Sequence, residues 1–168
     1  MENKSISVRE LVLFALLGAV MFAGKMVMAG LPNIEPVSLL VILYTLAFGR
    51  KALWSIYLYV GLECAVWGLN TWSICYLYVW LLLYLLTRLL RNMDSPLGWA
   101  VVSGGFGLLF GLLCTPVYLV IGGWGYAAAK WASGIPFDVL HCAGNFGIAL
   151  ILFKPLRSVL EKLHNRMK

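Results

Sequence analysis

The sequence predicts an all-α membrane protein, a bundle of six transmembrane helices with both termini cytoplasmic. Three observations carry that expectation. The chain has 168 residues, 62% hydrophobic and 12% charged, with a mean hydropathy of +0.88; soluble domains carry about 25% charged residues. Turn-forming and charged clusters divide it into six apolar segments, roughly 9–30, 36–49, 52–69, 73–90, 97–122 and 135–156. Its bases also fall on two sides very unequally. With six spans, Lys4, Arg9, Arg50, Lys51, Arg88, Arg91, Lys154, Arg157, Lys162, Arg166 and Lys168 share the side of the termini, and only Lys25 and Lys130 lie opposite. Cytoplasmic loops are the ones enriched in Lys and Arg. At this length residues 1–168 make one transmembrane domain.

A helix needs about 20 residues to cross a hydrocarbon core. Segments one, three, four, five and six are long enough. The separators are the LPNIEP turn, Gly49-Arg50-Lys51, Asn70-Thr71, the stretch from Arg88 to Pro96, and a long fifth loop from Gly122 to Pro136. Segment one carries Ala15, Ala19 and Ala23 four residues apart, a narrow stripe where another helix can approach closely. Segment two is too short. Pro36 suits its first helical position, with Glu35 as cap. The preceding loop then dips below the outer surface, next to a polar cavity; local bilayer thinning is the alternative. In segment five, Gly107 and Gly111 make a GxxxG step for close packing, and Pro116 is a kink site. The fifth loop, with Trp124, Tyr126, Lys130 and Trp131, reads either as a lid or as a surface loop anchored by tryptophan.

Polar side chains gather in the outer half. Glu63, Trp67 and Asn70 share one face of segment three, and Asp138, His141 and Asn145 one face of segment six. Lys25 and Glu35 stand at similar depth. Ionisable groups at membrane depth are costly and normally face a cavity or a partner. Each of Lys25, Glu35, Glu63 and Asp138 also has a bland reading, as a solvated, snorkelling or capping residue. Trp67, Trp72, Tyr76, Trp124, Tyr126 and Trp131 frame this region and suit a flat, polar organic ligand or an interfacial belt.

Several function classes are set aside. The net charge of +6 reflects bases at helix ends rather than nucleic-acid binding. Cys64, Cys75, Cys114 and Cys142 lie in apolar segments without a CxxC pair and read as buried apolar side chains. The N-terminus does not read as a cleaved signal peptide. No P-loop, HExxH, GxSxG or GxGxxG motif occurs, and His141 and His164 are too few for a multi-histidine metal site. Neither an enzyme activity nor a cofactor or metal is expected, and uphill transport would need a partner that uses ATP.

The size, the six spans, the Ala15-Ala19-Ala23 stripe and the loop LPNIEPVSLL together resemble the substrate-binding S-components of energy-coupling factor (ECF) vitamin transporters. The resemblance covers the whole chain. It implies a subunit of the cell membrane that captures a vitamin or precursor from outside and docks, through the alanine stripe, on a transmembrane coupling subunit driven by two ATPases. It places substrate contacts at Asn33 and Glu35 in the first loop, Asn70 and Trp72 in the third, Trp124 to Trp131 in the fifth, and His141 and Asn145 on helix six. Glu63 and Trp67 join them from the polar stripe. PNIEPV looks closest to branches handling cobalamin or pyridoxine- and pyrimidine-type compounds, and the wide fifth loop leans toward a corrinoid. The competing functions are a stand-alone proton-coupled carrier using Glu63, Asp138 and His141, a small membrane enzyme, and a structural assembly subunit.

Overall fold

The computed structural model describes residues 6–31 and 33–166. Lys4, Pro32 and Lys168 lie outside the described residues. Among the described residues all regular structure is helical: α1 (Val8–Val27), α2 (Val37–Phe48), a 3-10 turn (Gly49–Lys51), α3 (Ala52–Trp67), α4 (Thr71–Leu89), α5 (Pro96–Leu108) and α6 (Phe110–Asn165). Four helical runs, Val8–Val27, Val37–Trp67, Thr71–Leu89 and Pro96–Asn165, are long and apolar enough to cross a membrane.

Local chemistry sets three of the six α-helix starts among the described residues. Ser7 and Glu10 form a reciprocal capping box at α1. Asn70 caps α4, its Oδ1 accepting from Trp72 N and Ser73 N. Ser95 caps α5 ahead of Pro96, which needs no N–H at that position. Glu35 is not a cap, contrary to the sequence expectation. Pro36 itself holds the cap position of α2, and no side chain bonds to the helix start. A glutamate is a poor cap beside Ser, Thr, Asp or Asn.

The short α2 stands at the centre. It packs against every other helix, and Val37 to Thr45 are all buried, without an exposed face. A helix that is apolar all round belongs inside a core. Its 12 residues rise only about 18 Å, and because protein rather than lipid surrounds it, it need not match a bilayer. Tyr44 Oη donates to Leu17 O, and Thr45 Oγ1 to Val41 O, so its polar side chains are satisfied within the bundle.

The α1 helix has two faces. Phe14, Leu17, Gly18 and Met21 are buried. Gly18 lets α1 approach α3 so closely that a Cβ there would lie 2.9 Å from Ser55 O. Ala15, Ala19 and Ala23 point away and are exposed, with Leu16 and Val20 beside them.

The longest run turns back on itself. Gly104 faces Cys142 and Phe146, Gly107 faces His141 and Asn145, and Gly111 faces Asp138. As one number rises the other falls, so the two arms are antiparallel. Their midpoint falls near Gly123, whose φ of 73° is the one non-helical point inside α6. Glycine adopts that conformation at no steric cost. The GxxxG step is where the arms touch: a Cβ on Gly107 would sit 2.8 Å from His141 O. The fifth loop is corrected here. Residues 124–136 are helical and continue into the returning arm. One glycine suffices for the reversal, and the alanine-rich stretch Ala127-Ala128-Ala129 favours helix.

The two ends of the bundle differ. At one end Lys51 pairs with Glu10, Arg157 with Asp94 and Glu161, and the Phe48 ring meets His164. At the other, Lys25 pairs with Glu63 and Asn33 Nδ2 donates to Phe137 O. Lys25 and Lys130, which both line the cavity described below, are thus set apart from Lys51 and Arg157.

Candidate functional site

A cavity of about 860 Å³ opens at the end that carries Lys25. It lies above the start of α2, where the connecting residues Leu31, Asn33, Ile34 and Glu35 form part of its wall. That connection is held down by the Asn33–Phe137 bond, and Asn33 takes a φ of 57°, which asparagine tolerates better than most residues.

The returning arm of α6 supplies one wall. Tyr126, Lys130, Ser133, Gly134, Phe137, Asp138 and His141 all face the cavity. Their spacing in steps of three and four is one side of a helix. Trp124 and Trp131 fall off that side. They are exposed and do not line the cavity, which corrects the expectation drawn from a loop. Asn145 shares the angular position of His141 but lies a turn deeper. It is buried and bonds within the bundle: its Nδ2 donates to Ser38 Oγ at 2.9 Å and Ser103 O at 3.3 Å. The other residues assigned from the sequence, Asn33, Glu35, Glu63, Trp67, Asn70, Trp72 and His141, do come together around the cavity.

The opposite wall is built on an ion pair. Lys25 Nζ donates to Glu63 Oε2 at 2.6 Å and to Tyr76 Oη at 3.1 Å. It also lies 4.8 Å from the centre of the Tyr76 ring. Glu63 is 4% exposed, and without Lys25 its charge would be uncompensated. Glu35 stands nearby, outside the helical spans and partly buried. Burial pushes its carboxyl up to about 7, with the Lys25 ammonium opposing and Glu63 adding to the rise. Asp138 is not the cap of a separate sixth helix. It sits mid-helix, and its Oδ1 accepts from Gly111 N at 3.0 Å, just past the break between α5 and α6.

Aromatic rings join the two walls. Tyr76 and Phe110 lie 6.3 Å apart, and Phe110 and His141 5.0 Å apart. Trp72 meets Tyr118, and Tyr118 meets Tyr126, edge to face. Phe110 and Tyr118 were missed from the sequence. Both lie in an apolar segment where nothing separates them from core aromatics; only the antiparallel fold turns them toward His141 and Tyr126. No hydrogen bond joins Asp138 to His141. The arrangement offers flat apolar faces and a few charged groups in a concave space, the usual composition of a small-molecule site.

Comparison with protein-family models, curated proteins and solved structures finds no match.

Proposed function

We propose that the chain is the substrate-specific binding and translocating subunit of an ATP-driven vitamin importer of the ECF type, an S-component of the cell membrane. In this reading it crosses the membrane six times. Two of the four long runs reverse, Val37–Trp67 at Gly49 and Pro96–Asn165 at Gly123, and each reversal adds a crossing. Both termini are cytoplasmic, which puts the basic end inside and the cavity outside.

The observation that carries the proposal is the division of labour along α1. One face is used up in packing on α3. The other presents Ala15, Ala19 and Ala23 outward, where a partner helix in lipid gains from close approach. At the far end of the same helix, Lys25 holds the wall of a cavity of small-molecule size. A capture site and a docking stripe on one helix are what a subunit needs when a coupling protein and two ATPases supply the energy.

The volume bears on the substrate. About 860 Å³ falls in the range that encloses a drug-sized ligand. With residues 124–136 helical there is no wide fifth loop to hold a corrinoid. The smaller pyridoxine- or pyrimidine-type compounds fit better.

Reconstitution in liposomes tests the proposal. The small molecule that co-purifies with the chain should be taken up only when the coupling subunit, both ATPases and ATP are present. Uptake by the chain alone, driven by a proton gradient, would establish the stand-alone carrier instead.

A further inference from the structure

Three residues in the cavity walls carry polar atoms that the bundle leaves unpartnered. Glu63 gives Oε2 to Lys25, and its Oε1 has no hydrogen-bond partner among the described residues. Asp138 gives Oδ1 to Gly111 N, and its Oδ2 has none. His141 has none at either ring nitrogen. All three are more than nine-tenths buried, at 4%, 5% and 3% exposure, and all three line the cavity. Leaving such atoms unpaired costs stability, more for charged groups, so their placement asks for a ligand.

The chemistry of the unpaired atoms says which ligand. An ionised carboxylate only accepts hydrogen bonds. Glu63 and Asp138 reach the cavity from different helices, α3 and the returning arm of α6, and a run of contacts from Glu63 through Lys25, Tyr76 and Phe110 to His141 links their neighbourhoods. A ligand spanning them must present donors at two edges and a flat apolar face to the rings. The lysines do not reverse this. Lys25 is already bound to Glu63 and Tyr76, and Lys130 lies over the Tyr126 ring at 5.6 Å.

We propose that the cavity selects a flat nitrogen heterocycle that carries amino or ring N–H donors, cationic or readily protonated, held between Glu63 and Asp138 and stacked against Phe110. His141, as a neutral imidazole with one donor and one acceptor, pairs with a ring nitrogen or hydroxyl of the same ligand. This rests on reading the cavity as the capture site of the importer and narrows its substrate to one class.

The test uses the purified full-length chain in lipid nanodiscs, freed of co-purified ligand, with 2,4-diaminopyrimidine as probe. Two controls have the same ring size: 2,4-dimethylpyrimidine, which lacks the donors, and pyridine-3-carboxylate, an anion. Calorimetry should show the diamino compound binding roughly 10- to 100-fold tighter than either control, the loss expected when charge-assisted hydrogen bonds are removed. Glu63→Gln and Asp138→Asn, each of unchanged size, should weaken the diamino compound by roughly tenfold or more while leaving the dimethyl compound unaffected. Asn at 138 can still accept from Gly111; should that variant fail to fold, Glu63→Gln carries the test alone. Equal binding of diamino and dimethyl compounds, preference for the anion, or no binding of any probe would overturn the ligand class. The importer reading fails separately, if the chain binds the probe yet never assembles with ATPase-driven partners.

Discussion

Asn145 on α6 donates to Ser38 Oγ on α2 at 2.9 Å and to Ser103 O on α5 at 3.3 Å, so one amide ties three helices together in the core. It sits one turn below His141, which faces the cavity. The boundary between the cavity wall and the packed core therefore runs between these two side chains on one helical face.

Substitution should separate the two roles. Asn145→Ala leaves Ser38 Oγ without its donor in a fully buried position. It should cost about 1–3 kcal/mol of stability, read as a lowered thermal midpoint in detergent, with little change in affinity for the co-purifying small molecule. His141→Ala should do the reverse, weakening affinity roughly 5- to 150-fold with the midpoint nearly unchanged. If Asn145→Ala weakens binding without loss of stability, the cavity floor lies a turn deeper than the lining residues indicate.

Much of this was legible in the sequence, for a physical reason. The stripe Glu63, Trp67, Asn70 and the pair Asp138 and His141 announce themselves because ionisable groups are rare in apolar helices. Lys25 was legible for the same reason, although its partner was not: Glu63 is 38 residues away, and only the packing of α1 on α3 brings them together. The tryptophans of residues 124–136 were misplaced. Glycine at 122, 123 and 125 resembles a loop, yet only Gly123 adopts a conformation that demands glycine. The rest follow alanine into a helix, which rotates Trp124 and Trp131 outward. The central place of α2 was read only as shortness, since a segment's length does not reveal what surrounds it.

Topology can be checked on single cysteines in a variant lacking Cys64, Cys75, Cys114 and Cys142. Ala128 lies at the cavity end and Asn92 at the basic end, and both are exposed. A membrane-impermeant maleimide applied to intact cells should label a cysteine at 128 and not one at 92. Labelling at 92 alone would turn the cavity toward the cytoplasm and remove its role in capture from outside.

Glu35 gives stability a dependence on pH whose sign is fixed. Its folded carboxyl titrates near 7, raised by burial from the ordinary value of 4.5. Between those values the folded chain keeps a proton that the unfolded chain has released, so stability falls as pH rises through that window. A tenfold change in proton affinity is worth about 1.4 kcal/mol. Thermal midpoints of the wild type and Glu35→Gln should therefore diverge from pH 5 to pH 8, with the variant losing less. Parallel curves would mean that the Glu35 carboxyl is solvated like an ordinary surface acid.

The proposed docking stripe yields the most decisive variant. Ala19 stands between Ala15 and Ala23 on the face of α1 turned away from Phe14, Leu17, Gly18 and Met21. Because that face is exposed, a larger side chain at 19 meets no part of this bundle and leaves its core intact. A partner helix seated on the stripe would be pushed off, since van der Waals contact between small residues is the main attraction between helices in lipid. Ala19→Trp should therefore abolish co-purification with a coupling subunit and ATP-driven uptake. Ligand affinity of the isolated protein should stay within about threefold of wild type, under 1 kcal/mol, because Lys25 and the cavity lie further along α1. Gly18→Trp is the contrasting control. A Cβ at 18 already meets Ser55 O at 2.9 Å, so that variant should lose stability, binding and assembly together. If Ala19→Trp behaves like Gly18→Trp, the stripe belongs to the fold; if it assembles and transports normally, the partner docks elsewhere.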